Sequence, residues 1–199
     1  MHNRFMTKQD IIKEKILEEI IKIVPTAGWG VKSLEQASQN AGYNKYLGEV
    51  VFENGVDGII EYFIAINEAK MLSELKKLNL DKMRIRDRIS EAIKIKLNIY
   101  ADNKEVIAKT VAYLSIPFKS PLGLKLLWQT ADIIWYEAGF DKSTDFNYYT
   151  KRTLLSSVYS STLIYWLNDN SINHQDTIGF LERRIDNVIS IGKFLNPRK

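Results

Sequence analysis

His2 and His174 are the only imidazoles in the chain, and cysteine is absent. Without cysteine there is no thiolate metal ligand, no cysteine nucleophile and no disulfide. One histidine sits at the extreme terminus and the other beside a helix start, so the two form no cluster. A di-iron bundle needs inward glutamates with Glu-x-x-His spacing, and no such pair occurs. Glu14, Glu18 and Glu19 share their helix with Lys13, Lys15 and Lys22, the pattern of a solvated face. There is no glycine-rich phosphate loop, G-x-S-x-G or dinucleotide fingerprint. These residues make no active site, so the expectation is a protein that is not an enzyme and carries no cofactor and no metal.

Aromatic and small residues carry more information. In LKLLWQTADIIWYEAG, Trp128, Asp132 and Trp135 fall on one helix face. Two readings stand: core tryptophans with the aspartate bonding an indole N–H, or an aromatic surface for a partner. In STDFNYYTKR, Ser143 or Thr144 can cap a helix, and Asp145 in the first turn complements the dipole. Tyr148 and Tyr149 lie about 100° apart and cannot both face inward. Phe146 and Tyr149 are expected inward, with Tyr148 turned toward the preceding helix or solvent. Thr153 to Asn168 then runs 16 residues without a charge. Ser156/Ser160 and Ser157/Ser161 form small pairs among Leu154, Leu155, Val158, Leu163, Ile164 and Leu167. Such a stripe permits close helix contact, or leaves room for an apolar ligand.

Helical periodicity recurs along the chain, with no alternating strand pattern. Nine helices are expected, over about 8–24, 33–41, 44–52, 57–78, 82–101, 103–115, 121–138, 144–169 and 176–195. Pro25 should close the first, SLEQ at Ser33 should make a capping box, and Asp57 should cap the fourth. The fold class is all-α: residues 1–56 form a helix-turn-helix head and 57–199 a larger bundle, together one folding unit. The head's second helix, NKYLGEVVF, has one lysine, one glutamate and a mid-helix glycine, poor material for phosphate and base contacts. The head is therefore a degenerate one, and no nucleic acid is expected. Net charge is +4, which decides little. The N-terminus has no apolar h-region, and no run reaches the roughly 18–20 apolar residues of a membrane span.

The run TADIIWYEAGFDKSTDFNYYTKRTLLSSVYSSTLIYWLNDNS, followed by DTIGFLERRIDNVISIGKF, resembles the ubiquinone-biosynthesis family called Coq-nine (coenzyme Q nine). The likeness spans about residues 121–194. It is weaker over 8–78, resting there on the GW at 28–29 and the helical layout. The family's known fold is similar to that of TetR regulators, with a head no longer used for DNA. The resemblance implies a non-catalytic protein that binds an isoprenoid quinone intermediate and presents it to the di-iron demethoxyubiquinone hydroxylase. It turns the serine-lined helix toward pocket lining, with Leu154, Ser157, Val158, Ser161, Ile164, Trp128 and Leu127 as candidate lipid contacts. It makes Asp145, Tyr148 and Tyr149, with Trp135 nearby, the candidate patch for the hydroxylase. Tyr148 stands where the family has tryptophan, and Phe140 is inserted between Gly139 and Asp141. Eukaryotic members carry a further amphipathic C-terminal helix, whereas SIGKFLNPRK offers a short interfacial anchor or a frayed end.

The expected protein is thus a TetR-like bundle and a homodimer. It would lie peripherally on the bacterial inner membrane from the cytoplasm, or on the matrix side of the mitochondrial one. Burying a prenyl tail at about 0.8 kcal/mol per methylene would offset its extraction from a bilayer. The rival is a TetR-type repressor sensing a small apolar ligand.

Overall fold

The structure is a computed structural model that describes residues 7–139 and 146–195. Among these, the chain forms nine α-helices: α1 (Lys8–Ala27), α2 (Val31–Asn40), α3 (Leu47–Val51), α4 (Val56–Leu75), α5 (Ile85–Tyr100), α6 (Lys104–Leu114), α7 (Ser120–Gly139), α8 (Phe146–Leu167) and α9 (Gln175–Leu195). Short 3-10 turns stand at Leu80–Lys82, Ala101–Asn103 and Ile172–His174, and no strand occurs among the described residues.

Several helix ends differ from the sequence expectation: α3, α4 and α5 are shorter than expected, and Asp57 lies inside the first turn of α4, which starts at Val56, instead of capping it. Pro25 lies inside α1, which continues to Ala27. So near the end, the missing N–H removes a single ladder bond, and Gly28, at φ +75°, stops the helix instead. Ser33 does not start α2. Gly30 is the N-cap, the Ser33 hydroxyl donates to the Gly28 carbonyl at 2.7 Å, and Gln36 bonds Asn40. The capping box lies at α1, where Thr7 Oγ1 accepts from the Asp10 N–H and Asp10 accepts from the Thr7 N–H.

Two compact units result, Met1–Ile66 with Asn103–Gly123, and Asn67–Asp102 with Leu124–Lys199. This division differs from a boundary after residue 56. The head draws in α6 because Trp29 Nε1–H donates to Thr110 Oγ1 at 2.9 Å, a buried bond between distant segments. Asp57 fastens the turn after α6 through Tyr113 and Lys119. Ile16, Ile20, Leu34, Ile59 and Phe63 fill the core of this first unit. Gly48 brings α3 onto α2. A β-carbon there would lie 2.7 Å from Leu34 Cδ1 and Ser38 Oγ, and the Gly48 N–H already donates to that hydroxyl. The mid-helix glycine that spoils a recognition helix therefore has a packing role.

In the second unit α8 packs on α9 and α5, and α5 on α9. Met71, Leu75, Ile93, Ile134, Leu155, Trp166 and Leu181 are buried there. Arg86 of α5 reaches Asp186 at 2.5 Å and Glu182 at 3.1 Å on α9, and Ser90 adds a bond to Glu182. Ile89, Ile93, Leu97 and Tyr100 form the expected buried stripe of α5, while Ile85 at its start is exposed.

Candidate functional site

The uncharged face of α8 meets α5, α7 and α9 around a cavity of about 280 Å³. Its walls are Ile85 and Ile89 from α5, Trp135 from α7, Leu154, Leu155 and Val158 from α8, and Ile185, Val188 and Ile189 from α9. Arg86 and Lys151 are the charged lining residues. Lys151 sets its ammonium 5.6 Å from the Trp135 ring centroid. A cavity of about 150 Å³ suffices for benzene. This one thus has room for a ring and the beginning of a tail, not for a long polyprenyl chain. It can take an apolar molecule by contact, and Arg86 at its edge is already held by Asp186 and Glu182.

A second cluster joins α7 to the start of α8. Tyr149 packs edge-on against Tyr148 with centroids 5.1 Å apart, and Trp128 lies 6.1 Å from Tyr149 and 6.5 Å from Tyr148. Tyr149 is 63% exposed, so it faces outward, contrary to the inward orientation read from the sequence. The reason is Tyr148, which turns to α7 and donates its phenol to Asp132 Oδ1 at 3.2 Å. A residue 100° further round the helix must then face water. Burial raises the Tyr148 pKa, and the bond to Asp132 raises it further. Asp132 also accepts from Arg152 Nε, whose side chain is buried.

The candidate residues divide between these places. Leu154 and Val158 line the cavity, and so does Trp135, expected at the patch. Trp128, expected in the pocket, belongs to the tyrosine cluster. Leu127 is half-buried on α7 and is not among the cavity walls. Ser161 and Ile164 line a more open groove with Tyr165, Asn168, Asp169, Asp176 and Phe180. Ser157 is exposed and bonds back to the Leu154 carbonyl, as Ser161 does to that of Ser157. Asp145 lies outside the described residues.

One buried cluster was not foreseen. Lys96 is fully buried, with its ammonium 3.6 Å from Glu68 Oε1 and 5.3 and 5.9 Å from the rings of Tyr100 and Tyr159. Thr130 donates to the same glutamate oxygen at 2.5 Å. Burial drives the Tyr159 pKa well up, helped by Tyr100 and Glu68. The sign was present in the sequence: Lys96 lies seven residues after Ile89, on the apolar stripe. Among the described residues no group of three or more His, Asp or Glu is placed to hold a metal, and no helix is long and apolar enough to cross a membrane.

The architecture is that of the TetR regulators. A TetR transcriptional regulator from Nitrosomonas europaea superposes with TM-score 0.72, covering 90% of this chain and 99% of that one at 15% identity, a likeness of fold alone. The sequence relatives are more particular. Residues 120–192 match the COQ9 family model. "Ubiquinone biosynthesis protein COQ9, mitochondrial" of Homo sapiens is 26% identical over 92% of this chain, and the Xenopus tropicalis protein of the same name 29%. The "Probable ubiquinone biosynthesis protein coq9, mitochondrial" of Dictyostelium discoideum is 30% identical over 93%. The chain resembles the COQ9 family, then, across nearly all its length, and it spans about 59% of the human relative.

Proposed function

We propose that this protein acts in ubiquinone biosynthesis as an accessory protein, binding an isoprenoid quinone intermediate and presenting it to the demethoxyubiquinone hydroxylase. The observation that carries the reading is the apolar cavity of α5, α7, α8 and α9, since most of its walls lie in the segment matching the COQ9 model. The quinone ring and first prenyl units would occupy it by burial of apolar surface. The rest of the tail would lie along the surface or stay in the bilayer, with the protein peripheral on the inner membrane as a homodimer. The exposed ring of Tyr149, backed by Trp128 and Tyr148, has the chemistry of an interface hot spot and would meet the hydroxylase.

Native mass spectrometry with organic extraction, on protein purified from a ubiquinone-producing host, tests this. A co-purified isoprenoid quinone or precursor is expected. An empty protein that shifts a DNA fragment from its own promoter would replace the reading with a TetR-type repressor.

A further inference from the structure

Phe118 is 94% exposed, the most exposed large apolar side chain described. It stands between α6 and α7, in the turn Ser115–Ile116–Pro117–Phe118–Lys119, where Ile116 is 47% exposed and Pro117 is exposed too. The turn is held in place from within. The N–H groups of Lys119 and Ser120 both donate to the Ile116 carbonyl, at 2.8 and 2.9 Å, and Ser120 Oγ donates to the Pro117 carbonyl at 2.9 Å. Below it, Lys119 Nζ bonds both Asp57 oxygens at 2.9 and 2.8 Å, and Tyr113 donates to Asp57 at 2.7 Å. An apolar tip is thus presented to water on a fastened base, so a contact made through it loses little conformational freedom.

Charge favours one kind of contact. Residues 106–131 contain three lysines and no acidic residue. Asp57 neutralises Lys119 in place, whereas Lys109 is exposed on α6. A protein hot spot is an aromatic ring at the centre of a patch sealed by its neighbours. Here the ring projects from a turn flanked by exposed Ser115 and a lysine-bearing, acid-free segment, as in side chains that enter a lipid interface.

We propose that the Ile116–Pro117–Phe118 turn is a membrane-contact wedge that places Phe118 and Ile116 at the headgroup–acyl boundary of an anionic lipid surface. This goes beyond the quinone-carrier reading and does not depend on it. The test is co-sedimentation of the full chain with vesicles of phosphatidylcholine and phosphatidylglycerol in equal parts, free of quinone. Wild type is expected to bind these and to bind pure phosphatidylcholine more weakly. Phe118→Ser should lower the partition coefficient about tenfold, while Phe118→Leu keeps most of it. Val50→Ser removes an apolar side chain 75% exposed on α3 and should change nothing. Wild type that ignores the vesicles, Phe118→Ser that binds as wild type, or Val50→Ser that loses as much would each overturn the wedge. Quinone found by extraction alongside any of these would leave the carrier reading intact.

Discussion

Arg152 of α8 lies over the ring of Tyr148, its guanidinium carbon 3.4 Å from the ring centroid, while its Nε–H bonds Asp132 on α7. Tyr148 donates to the same aspartate oxygen, so one carboxylate orients both the cation and the ring. The arginine is 2% exposed, yet Asp132 is 39% exposed and retains water when the bond is lost. Arg152→Met should therefore destabilise by about 2 kcal/mol, less than the loss of a partner in a fully buried pair. Urea unfolding of the two proteins measures it. A variant as stable as wild type would mean that packing of the arginine stem alone holds α8 to α7.

Tyr149 is the outward member of that cluster. Truncating or charging a side chain 63% exposed should alter stability by less than about 0.5 kcal/mol. Tyr149→Glu is therefore expected to keep its unfolding midpoint and to lose co-purification with the hydroxylase. Co-purification at the wild-type level would remove the patch from the proposed function.

The cavity makes a separate prediction. Leu154 is half-buried in its wall, and tryptophan there would fill part of the 280 Å³. Leu154→Trp should lower the extracted lipid per protein several-fold, with a stability loss of about 1–2 kcal/mol from overpacking. Unchanged lipid content would move the site to the groove of Ser161, Ile164, Tyr165 and Phe180.

The all-α class was legible because its signal is local: apolar residues recur at helical spacing from Ile16 and Ile20 to Leu181 and Ile185. What needed long-range information was not. Leu154 and Val158 could be chosen from the face of α8, but the sequence does not say that Ile85, Ile189 and Trp135 face them. The role of Arg152 is not legible in the sequence, since its partner Asp132 lies 20 residues away on another helix. Trp128 and Trp135 share a face yet serve different clusters, because α7 meets different neighbours along its length. The start of α2 was misplaced because Gly28 and Gly30 turn the chain before Ser33 can cap it. Lys96 is different. Its place on the apolar stripe is visible in the sequence, but its carboxylate partner Glu68 lies on another helix, α4.

Asp169 fastens the start of α9. It is 6% exposed, and its two oxygens accept from Ser171 N–H at 2.7 Å, Thr177 N–H at 2.9 Å and Thr177 Oγ1 at 2.5 Å. Burial opposes the charged form, but these bonds outweigh it and hold the carboxyl well below the usual carboxylate range. Its pKa is thus lower folded than unfolded. The stabilisation is whole above the unfolded value of about 4 and is lost as pH falls below that toward the folded pKa. Asp169→Asn should cost about 2 kcal/mol at pH 7, because an amide accepts these bonds weakly and sets its own N–H groups against Thr177. In acid the wild type protonates on unfolding, so the difference between the proteins should narrow. Urea unfolding of both at neutral pH and near pH 3 reads this directly. A gap that stays constant would mean that the asparagine fails by shape, and that the charge of Asp169 contributes nothing to the hold on α9.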